Sequence, residues 1–402
     1  MSVLQKHVLA RSVVFKQLLP SLEVKQIISC FPHGRFHDIS PRSKDTLAIK
    51  FLDSRSASRF TQKFLSLPRA PPLKDATIEY EASDPLPVEV LTKIGLRNAS
   101  RVIRVTSNNA KKIPGNLIHD VKECGPIESF ESDGKKAVIH FMSIDTAIKA
   151  LDVLRTSEGY AGYAVYYGFD KKCDTPPSYP ANSQTDLILT DLPKGTTTSE
   201  LLRRIQSGLP DLKREIIRSV VFDEPGAKAF INFLEPSVAK IVFDSFDNAK
   251  TSTGGVSVSW SRPSPNPVSA SLRMAISAGA SRTLIVSHLK DVQQLRRVLK
   301  TAKKLGTVVS HPYNPSNNKT VSIEFADIFS TFRAIERIAK DMDSYPDFSN
   351  TFISFATSTD TVRPIKIICA KATSTPEPQK PQTEEKQATP APETSSIVSD
   401  AS

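Results

Sequence analysis

Aromatic and basic side chains alternate along several of the strands that the sequence predicts. In the third of four similar segments, Lys228 and Phe230 are two residues apart, and Ile188 belongs to a neighbouring strand. Arg104 and Lys136 stand at the corresponding places in the second segment. Side chains two apart on a strand point to the same face, so a cation and a flat ring would share one surface. Such a surface can stack on conjugated rings and attract phosphate groups.

Other residues are candidates for the same chemistry. Tyr166 belongs to a tyrosine-rich strand on which at least one ring must face outward. Trp260 ends another strand beside Arg262, where it could stack on a ring system or hold the following linker. Phe15 takes an outward position under one alignment of its strand. The candidate binding residues are therefore Phe15, Arg104, Lys136, Tyr166, Ile188, Lys228, Phe230, Trp260 and Arg262.

An internal repeat positions these residues. Four segments share a short pattern that ends in phenylalanine and leads directly into apolar residues at helical spacing. Each is preceded along the chain by a β-branched run and a helical pattern, and is followed by a last short strand. The order is strand, helix, strand, strand, helix, strand, four times. The repeated phenylalanines are separated by 90, 92 and 92 residues and are Phe51, Phe141, Phe233 and Phe325.

This order predicts an α+β fold of four tandem ferredoxin-like βαββαβ modules. Each module would have a four-stranded antiparallel sheet, with two helices on one face and the other face open. The predicted modules span 11–82, 99–170, 185–263 and 281–358 and are called modules 1 to 4. Pro-rich linkers favour tethered beads over a packed array, and both arrangements stay open. Residues 373–402 have few apolar side chains, so a disordered tail is expected there.

The modules resemble the RNA recognition motif family, and the third matches best. Residues 187–192 follow the hexamer signature of that family, with Asp in place of Asn, and residues 226–233 follow its octamer. The resemblance implies that Ile188, Lys228 and Phe230 point from the open face, where rings of the family stack on bases. The second module carries arginine and lysine at such positions, and the fourth carries no ring at all.

Composition agrees with a polyanionic partner. Lysine and arginine outnumber aspartate and glutamate by 53 to 42, and such cations gain free energy by displacing counterions from phosphates. The resemblance implies a multi-module protein that binds single-stranded RNA in messenger RNA processing, stability or translation. The alternative is a protein-interaction scaffold of degenerate modules within a ribonucleoprotein complex. The third module favours RNA, whereas the ringless fourth favours the scaffold.

Several function classes find no support in the sequence. No nucleophile elbow, glycine-rich phosphate loop or paired-carboxylate motif occurs, so we expect a protein that is not an enzyme and has no cofactor or small-molecule substrate. No apolar run is long enough to span a membrane. His33 and His37 lack partners with metal-ligand spacing. No zinc site or disulfide framework is expected from the widely spaced Cys30, Cys124, Cys173 and Cys369.

The sequence allows two predictions of the cellular compartment. Reduced cysteines and the family resemblance favour the nucleus or the cytoplasm. The alternative is a mitochondrial location, because Lys6, Arg11 and Lys16 precede the first acidic residue, Glu23. A first strand beginning near Ser12 would leave only a short leader.

Overall fold

The computed structural model describes residues 10–19, 21, 23–66, 73–107, 112–173, 183–208, 217–223, 228–248, 255–262, 268–314, 316, 319–356, 362–363 and 365–368. The predicted disordered tail, most of the linker after residue 173 and the first two octamer positions of module 3 lie outside these residues. Among the residues described, no helix is long and apolar enough to cross a bilayer. The same residues contain no group of three or more His, Cys, Asp or Glu side chains that could hold a metal ion.

Module 1 has the predicted order of elements. These are β1 (Ser12–Lys16), α1 (Val24–Ser29), β2 (Phe36–Pro41), β3 (Leu47–Phe51), α2 (Ser54–Ser66) and β4 (Thr77–Glu81). The four strands form an antiparallel sheet in the order β2-β3-β1-β4. The chain then continues through β5 (Leu86–Pro87) and α3 (Val88–Arg97).

Modules 2 and 3 repeat this order. Module 2 contains β6 (Val102–Ser107), α4 (Leu117–Lys122), β7 (Ile127–Ser132), β8 (Lys136–Phe141), α5 (Ile144–Thr156) and β9 (Tyr163–Tyr167). Module 3 contains β10 (Asp186–Thr190), α6 (Thr198–Gly208), β11 (Ile217–Phe222), β12 (Ala229–Phe233), α7 (Pro236–Asn248) and β13 (Ser257–Trp260). Their sheets have the orders β7-β8-β6-β9 and β11-β12-β10-β13, so each module keeps the strand positions of module 1.

Module 4 follows a linker helix, α8 (Ala270–Ser277), and its sheet carries an additional strand at one edge. Its elements are β14 (Thr283–Ser287), α9 (Val292–Leu305), β15 (Val308–Ser310), β16 (Tyr313–Asn314), β17 (Thr320–Phe325), α10 (Ile328–Lys340), β18 (Phe352–Phe355), β19 (Val362–Arg363) and β20 (Ile365–Lys366). The sheet order is β15-β17-β14-β18-β20, and β16 also pairs with β17. Strand β19 pairs in parallel with β5, which precedes module 2.

The predicted fold class is confirmed by these four sheets, each crossed by two helices. The four repeated phenylalanines end the third strand of their modules and have no exposed surface, as the inward strand phase predicts. Three helices of modules 2 and 4, α5, α9 and α10, begin at polar caps. The side chains of Ser143, Asp291 and Asp327 accept hydrogen bonds from the first backbone N–H groups of α5, α9 and α10, which satisfies donors that a helix leaves unpaired.

In modules 1, 3 and 4, the residue directly after the first strand has a left-handed backbone conformation. Gln17, Asp191 and His288 have φ angles of 62°, 62° and 64°. Asp191 stands where the hexamer signature has asparagine, and asparagine and aspartate tolerate this conformation better than other non-glycine residues. The position therefore marks the end of the first strand and fixes the phase of the residues before it.

A buried arginine precedes the first strand in three modules. Arg11, Arg101 and Arg282 are at most 3% exposed, and each donates to the main-chain carbonyl of the repeated phenylalanine in its own module. Thr185 takes the corresponding place in module 3, where its carbonyl accepts from the N–H of Phe233. The arginines tie the start of the first strand to the end of the third.

Neighbouring modules contact each other in the same way in both halves of the chain. The N–H of Ile39, on the edge strand of module 1, donates to the Met142 carbonyl of module 2 at 3.0 Å. The N–H of Val220, on the edge strand of module 3, donates to the Ala326 carbonyl of module 4, also at 3.0 Å. In both cases the carbonyl belongs to the residue after the repeated phenylalanine. The pair formed by modules 1 and 2 is therefore repeated by modules 3 and 4.

Two linker helices join these pairs. Leu91 and Ile94 of α3 and Leu272 and Ala275 of α8 have no exposed surface and belong to one apolar core with module 4. That core also includes Leu52 of module 1, Ala99 and Ile144 of module 2 and Leu234 of module 3. Because all four modules contribute to it, the described residues form a packed array, which is one of the two arrangements that the sequence left open.

Candidate nucleic-acid interface

The open face of module 2 carries a cation between an aliphatic side chain and an aromatic ring. Arg104 on the central strand β6 is exposed and lies opposite Val138 on one side and Tyr166 on the other. Lys136 is exposed on the same face, two residues before Val138. The tyrosine-rich strand β9 thus turns Tyr166 outward, at 41% exposure, while the Tyr163 ring packs toward the module core.

A pocket of about 250 Å³ opens on this face. Its rim includes Phe169, which is 59% exposed, and the exposed Lys171. Lys172 also lines it, and its ammonium group donates to the carbonyls of Ser29 and Phe31 in module 1. Packing of module 1 against module 2 therefore holds Lys172 in place as one wall of the pocket. The remaining lining residues are Arg104, Glu128, Ser129, Glu131, Val138, His140 and Asp170.

Gly168 lets the Arg104 side chain lie close to the sheet. A β-carbon added at Gly168 would come within 3.0 Å of Arg104 Cγ and 2.8 Å of Val102 Cγ1. Such distances are well inside van der Waals contact, so a larger residue would displace the arginine. The absence of a side chain at Gly168 thus leaves room for the Arg104 side chain.

The carboxylates at the pocket floor are already engaged by a buried cation. Glu128 and Asp170 lie 2.8 Å from the guanidinium nitrogens of Arg101, which is 1% exposed. Burial alone would lower the pKa of Arg101, but these two carboxylates outweigh it and raise the pKa. Arg101 therefore offsets one of their two negative charges, and these carboxylates oppose an anionic ligand less than the pocket lining implies.

His140 lines the pocket, and its surroundings shift the pKa of its side chain. Burial lowers the pKa of its imidazole below 6.5, and the neighbouring carboxylates, of which Glu128 contributes most, raise it by less. His140 is therefore uncharged at neutral pH. A neutral imidazole can both donate and accept hydrogen bonds, which suits the edge of a nucleobase.

Module 3 presents an apolar open face with one cation. Phe230 on β12 lies opposite Ile188 on one side and Val221 on the other. Phe230 and Ile188 are half-buried, whereas Val221 is 54% exposed. Lys228 is exposed two residues before Phe230, on the same face. This arrangement agrees with the strand phase predicted for Phe230, Lys228 and Ile188.

Phe15 does not lie on an open face, and this prediction is wrong. Its side chain has no exposed surface and stacks on Phe31 in the module core, with ring centroids 4.7 Å apart. The left-handed residue of this strand is Gln17, which places Val14 at the outward position. The predicted alignment was one residue out of phase, and such a shift exchanges the two faces of a strand.

Trp260 also lies away from the predicted surface. It is opposite Leu187, a core residue, and its ring stacks on Phe243 of α7 with centroids 4.8 Å apart and planes 14° from parallel. Trp260 thus belongs to the helical side of the sheet, where it cannot meet a base bound on the open face of β10 and β12. Arg262 is exposed just beyond β13, and its assignment to RNA binding stays a prediction.

Modules 1 and 4 have different open faces. On module 1, ion pairs between Lys16 and Glu79 and between Arg42 and Glu81 border the sheet, so its charges are largely matched. On module 4, Ile285 lies opposite two serines, and the buried Glu324 binds Arg282. The half-buried ring of Phe352 on β18 also lies on the open face of module 4, with the Lys366 ammonium group 5.9 Å from the ring centroid.

Phe169 and Val221 were missed by the sequence analysis. Phe169 follows the last strand of module 2, beyond the signature positions, and only its place beside Gly168 relates it to Arg104. Val221 alternates correctly with its neighbours on an edge strand. The period-two pattern of β11 could have identified Val221, whereas the position of Phe169 depends on how the chain leaves the sheet.

No protein-family model matches the chain. The Meiotically up-regulated gene 24 protein of Schizosaccharomyces pombe (strain 972 / ATCC 24843) is 22% identical over 377 residues, which cover 86% of this chain and 55% of that relative. The chain thus spans about half the length of the curated relative that it matches.

Solved structures with several RNA-binding modules are also similar. The N-terminal three RNA binding domains of the yeast splicing factor Prp24 are 14% identical and cover 64% of this chain and 99% of that one, with a TM-score of 0.17. RNA recognition domains 1 and 2 of Sex-lethal from Drosophila melanogaster are 16% identical and cover 40% and 100%, with a TM-score of 0.23. These TM-scores are low, and the strand order of the modules themselves assigns the fold. By element order, sheet order and the buried phenylalanine of each third strand, the four modules of this chain have the fold of the RNA recognition motif.

Proposed function

We propose that this chain binds single-stranded RNA through the open faces of modules 2 and 3. The observation that carries the proposal is the position of Arg104, which lies between Val138 and Tyr166 on an exposed sheet face. An arginine and an aromatic ring side by side offer a stacking surface and a charge to the same nucleotide. The exposed Phe169 extends that surface by a second ring.

Module 3 would contribute a more apolar surface. Phe230 supplies a ring, and Ile188 and Val221 supply aliphatic contacts on either side of it. Lys228 places a cation beside the ring. A partly covered ring on a central strand loses the benefit of burial while it faces water, and a stacked base would cover it.

Unpaired RNA fits these surfaces better than a duplex. Stacking on a side chain requires that a base leave its neighbours and present a flat face, which single strands do readily. A duplex exposes mainly sugar and phosphate, on which the aromatic rings of a sheet surface cannot stack. Because the modules form a packed array, two binding faces are held in fixed relation, which raises the effective concentration of the second for a strand bound to the first.

Binding of a fluorescent single-stranded RNA pool of random sequence tests this proposal. We expect Arg104→Ala with Tyr166→Ala, and separately Lys228→Ala with Phe230→Ala, to weaken binding by about 1–3 kcal/mol for each lost ring. Thr320→Ala with Ser322→Ala changes two signature positions of module 4 that carry no ring and serves as the matched control. Affinity that is equal in all three variants and in the wild-type chain would overturn the proposal.

The setting that we propose is messenger RNA processing, stability or translation, in the nucleus or the cytoplasm. It rests on the resemblance of the modules and on the basic composition, with 53 lysines and arginines against 42 acids. Crosslinking in cells followed by sequencing of the bound RNA would test it. Recovery of mitochondrial transcripts would favour the mitochondrial alternative instead.

A scaffold within a ribonucleoprotein complex is the second candidate function. The observation that favours it is the ion-paired face of module 1, where Lys16 and Arg42 are bound by Glu79 and Glu81. A surface of matched charges discriminates protein partners by complementarity. Affinity purification with Lys16→Glu and Arg42→Glu in the full chain would show partner loss without RNA loss if module 1 has this role.

A further inference from the structure

The helical side of module 4 carries unusually many cations. Helix α9 contains five lysines and arginines and no acidic residue. Arg296, Lys300, Lys303 and Lys304 are exposed and make no ion pair among the residues that the structure describes. The fifth cation, Arg297, is bound to Asp347 at 3.3 Å. Most of the positive charge on this helix is therefore available to a ligand.

The neighbouring helix adds a second row of the same sign. Arg333, Arg337 and Lys340 of α10 are exposed and spaced by four and three residues, which places them on one side of the helix. The acidic residue of that helix, Glu336, is held from elsewhere by Arg97 of α3, at 2.9 Å. Both helices cover the same face of the sheet, so their outward rows form one basic surface, called here the basic helical face of module 4.

Helix stability explains only part of this charge. Lys303 and Lys304 lie in the last turn of α9, where cations interact favourably with the helix dipole. Arg296 and Lys300 lie in earlier turns, where that effect is absent, and they stand four apart with the same charge, which disfavours the isolated helix. Their arrangement is better suited to an external anion.

We infer that the basic helical face of module 4 binds the phosphate backbone of RNA without reading its sequence. The inference rests on the proposed function and adds a second contact surface to it. Arg296 to Lys304 spans about 12 Å at the 1.5 Å rise of a helix. The four cations of α9 that make no ion pair among the described residues therefore extend far enough to contact more than one phosphate of a strand.

The open face of module 4 supports this division of roles. It has no ring at the positions that stack on bases in the family, because Ile285, Ser322 and Thr320 stand there. The Phe352 ring on the same face already contacts the His288 ring and the Lys366 ammonium group. A module without a ring at the signature positions and with an exposed row of cations on its other side is suited to contact the backbone. Modules 2 and 3 would then hold the bases, and module 4 would add affinity.

The salt dependence of RNA binding by the full chain tests the inference. The test variant is Arg296→Gln, Lys300→Gln, Lys303→Gln. The matched control is Arg55→Gln, Arg59→Gln, Lys63→Gln, which removes the same charge from successive turns of α2 in module 1. For single strands, each lost phosphate contact lowers the slope of log affinity against log salt by about 0.7. We expect a decrease of about 2 for the test variant and none for the control.

The possible outcomes separate this inference from the proposed function. An unchanged slope in the test variant, or an equal decrease in the control, overturns the inference and leaves an acidic protein as the ligand of the helical face. Loss of binding in the test variant, with no effect of Arg104→Ala or Phe230→Ala, upholds the inference and contradicts the proposed role of the open faces. A wild-type chain that binds no RNA contradicts both.

Discussion

Gly95 of helix α3 lies directly against the ring of Phe332 in module 4. A β-carbon added at Gly95 would come within 2.4 Å of that ring and 3.3 Å of the Ala275 methyl group of α8. The two linker helices and the second helix of module 4 therefore meet at a point where only glycine fits. Arg97, one half-turn later, binds Glu336 of the same module through two hydrogen bonds.

Replacing Gly95 by alanine should destabilise the packed array. Gly→Ala in a helix ordinarily stabilises it, by up to about 1 kcal/mol, but here the added methyl group overpacks a fully buried ring. Overpacking costs about 1–3 kcal/mol, so the sign of the effect should reverse. Denaturant unfolding of the full chain measures it. Gly115→Ala, where a β-carbon would meet nothing within 4 Å, is the control and should lose no stability.

The contact between modules 1 and 2 should weaken in acid. His37 Nε2 lies 2.7 Å from an Asp145 carboxylate oxygen. Burial alone would raise the pKa of Asp145, but its close interaction with the His37 imidazole outweighs burial and lowers the pKa below 3.8. A carboxylate with a lowered pKa contributes stability above its unfolded pKa, and this contribution is lost as pH falls through the folded value.

Thermal unfolding between pH 7 and pH 3 checks this expectation. The wild-type chain should lose more stability below about pH 4 than Asp145→Asn, which has no proton to gain there. A carboxyl resonance of Asp145 that titrates at or above 3.8 would contradict the account. Asp133→Asn is a useful comparison, because the pKa of this exposed carboxylate is also lowered, chiefly by main-chain hydrogen bonds of a turn that lies outside the interface.

Loss of the buried Arg101 should strongly destabilise module 2. Its guanidinium is bound to Glu128, Asp170 and the carbonyl of Phe141. Breaking a buried ion pair from one side costs about 3–5 kcal/mol, because the remaining charges stay buried without a partner. Arg101→Met should therefore lower the free energy of unfolding by that amount. Adding Glu128→Gln and Asp170→Asn to the same variant should recover much of the loss, and no recovery would contradict the assigned cause.

RNA binding should strengthen as pH falls below neutrality. His140 lies in the pocket on the open face of module 2, and burial lowers its pKa below 6.5, so it is neutral at pH 7. Protonation as the pH falls below 6.5 adds a cation to the pocket, and a bound polyanion favours that proton by linkage. Affinity measured over this range should rise in the wild-type chain and stay flatter in His140→Asn. Parallel curves would place the RNA away from His140.

The fold could be predicted because its signals are local. The phenylalanine that ends each third strand and the helical pattern after it recur four times, and all four phenylalanines are buried. The outward positions of Arg104 and Phe230 followed from strand alternation. Phe15 failed because an alternating pattern leaves two phases open, and the left-handed Gln17 that decides between them is a property of the folded backbone.

The relation between modules could not be predicted in the same way. Helix α3 lies between the predicted bounds of modules 1 and 2, where the prolines before it indicate a linker, although its apolar residues Val88, Leu91 and Ile94 have helical spacing. Its burial depends on α8 and on module 4, far away in sequence. The pocket on module 2 likewise depends on Lys172, whose partners belong to module 1. Such long-range contacts leave no periodic trace in one sequence.

The most direct test of the central claim is ultraviolet crosslinking of the full chain to single-stranded RNA, with the crosslinked residues mapped by mass spectrometry. The account predicts crosslinks at Tyr166 and Phe169 on module 2 and at Phe230 on module 3, and their loss at high salt. Trp260 and Phe15, which lie on the helical sides of their sheets, should not crosslink. Crosslinks that avoid the open faces of modules 2 and 3, or that do not exceed those of an unrelated basic protein, would contradict it.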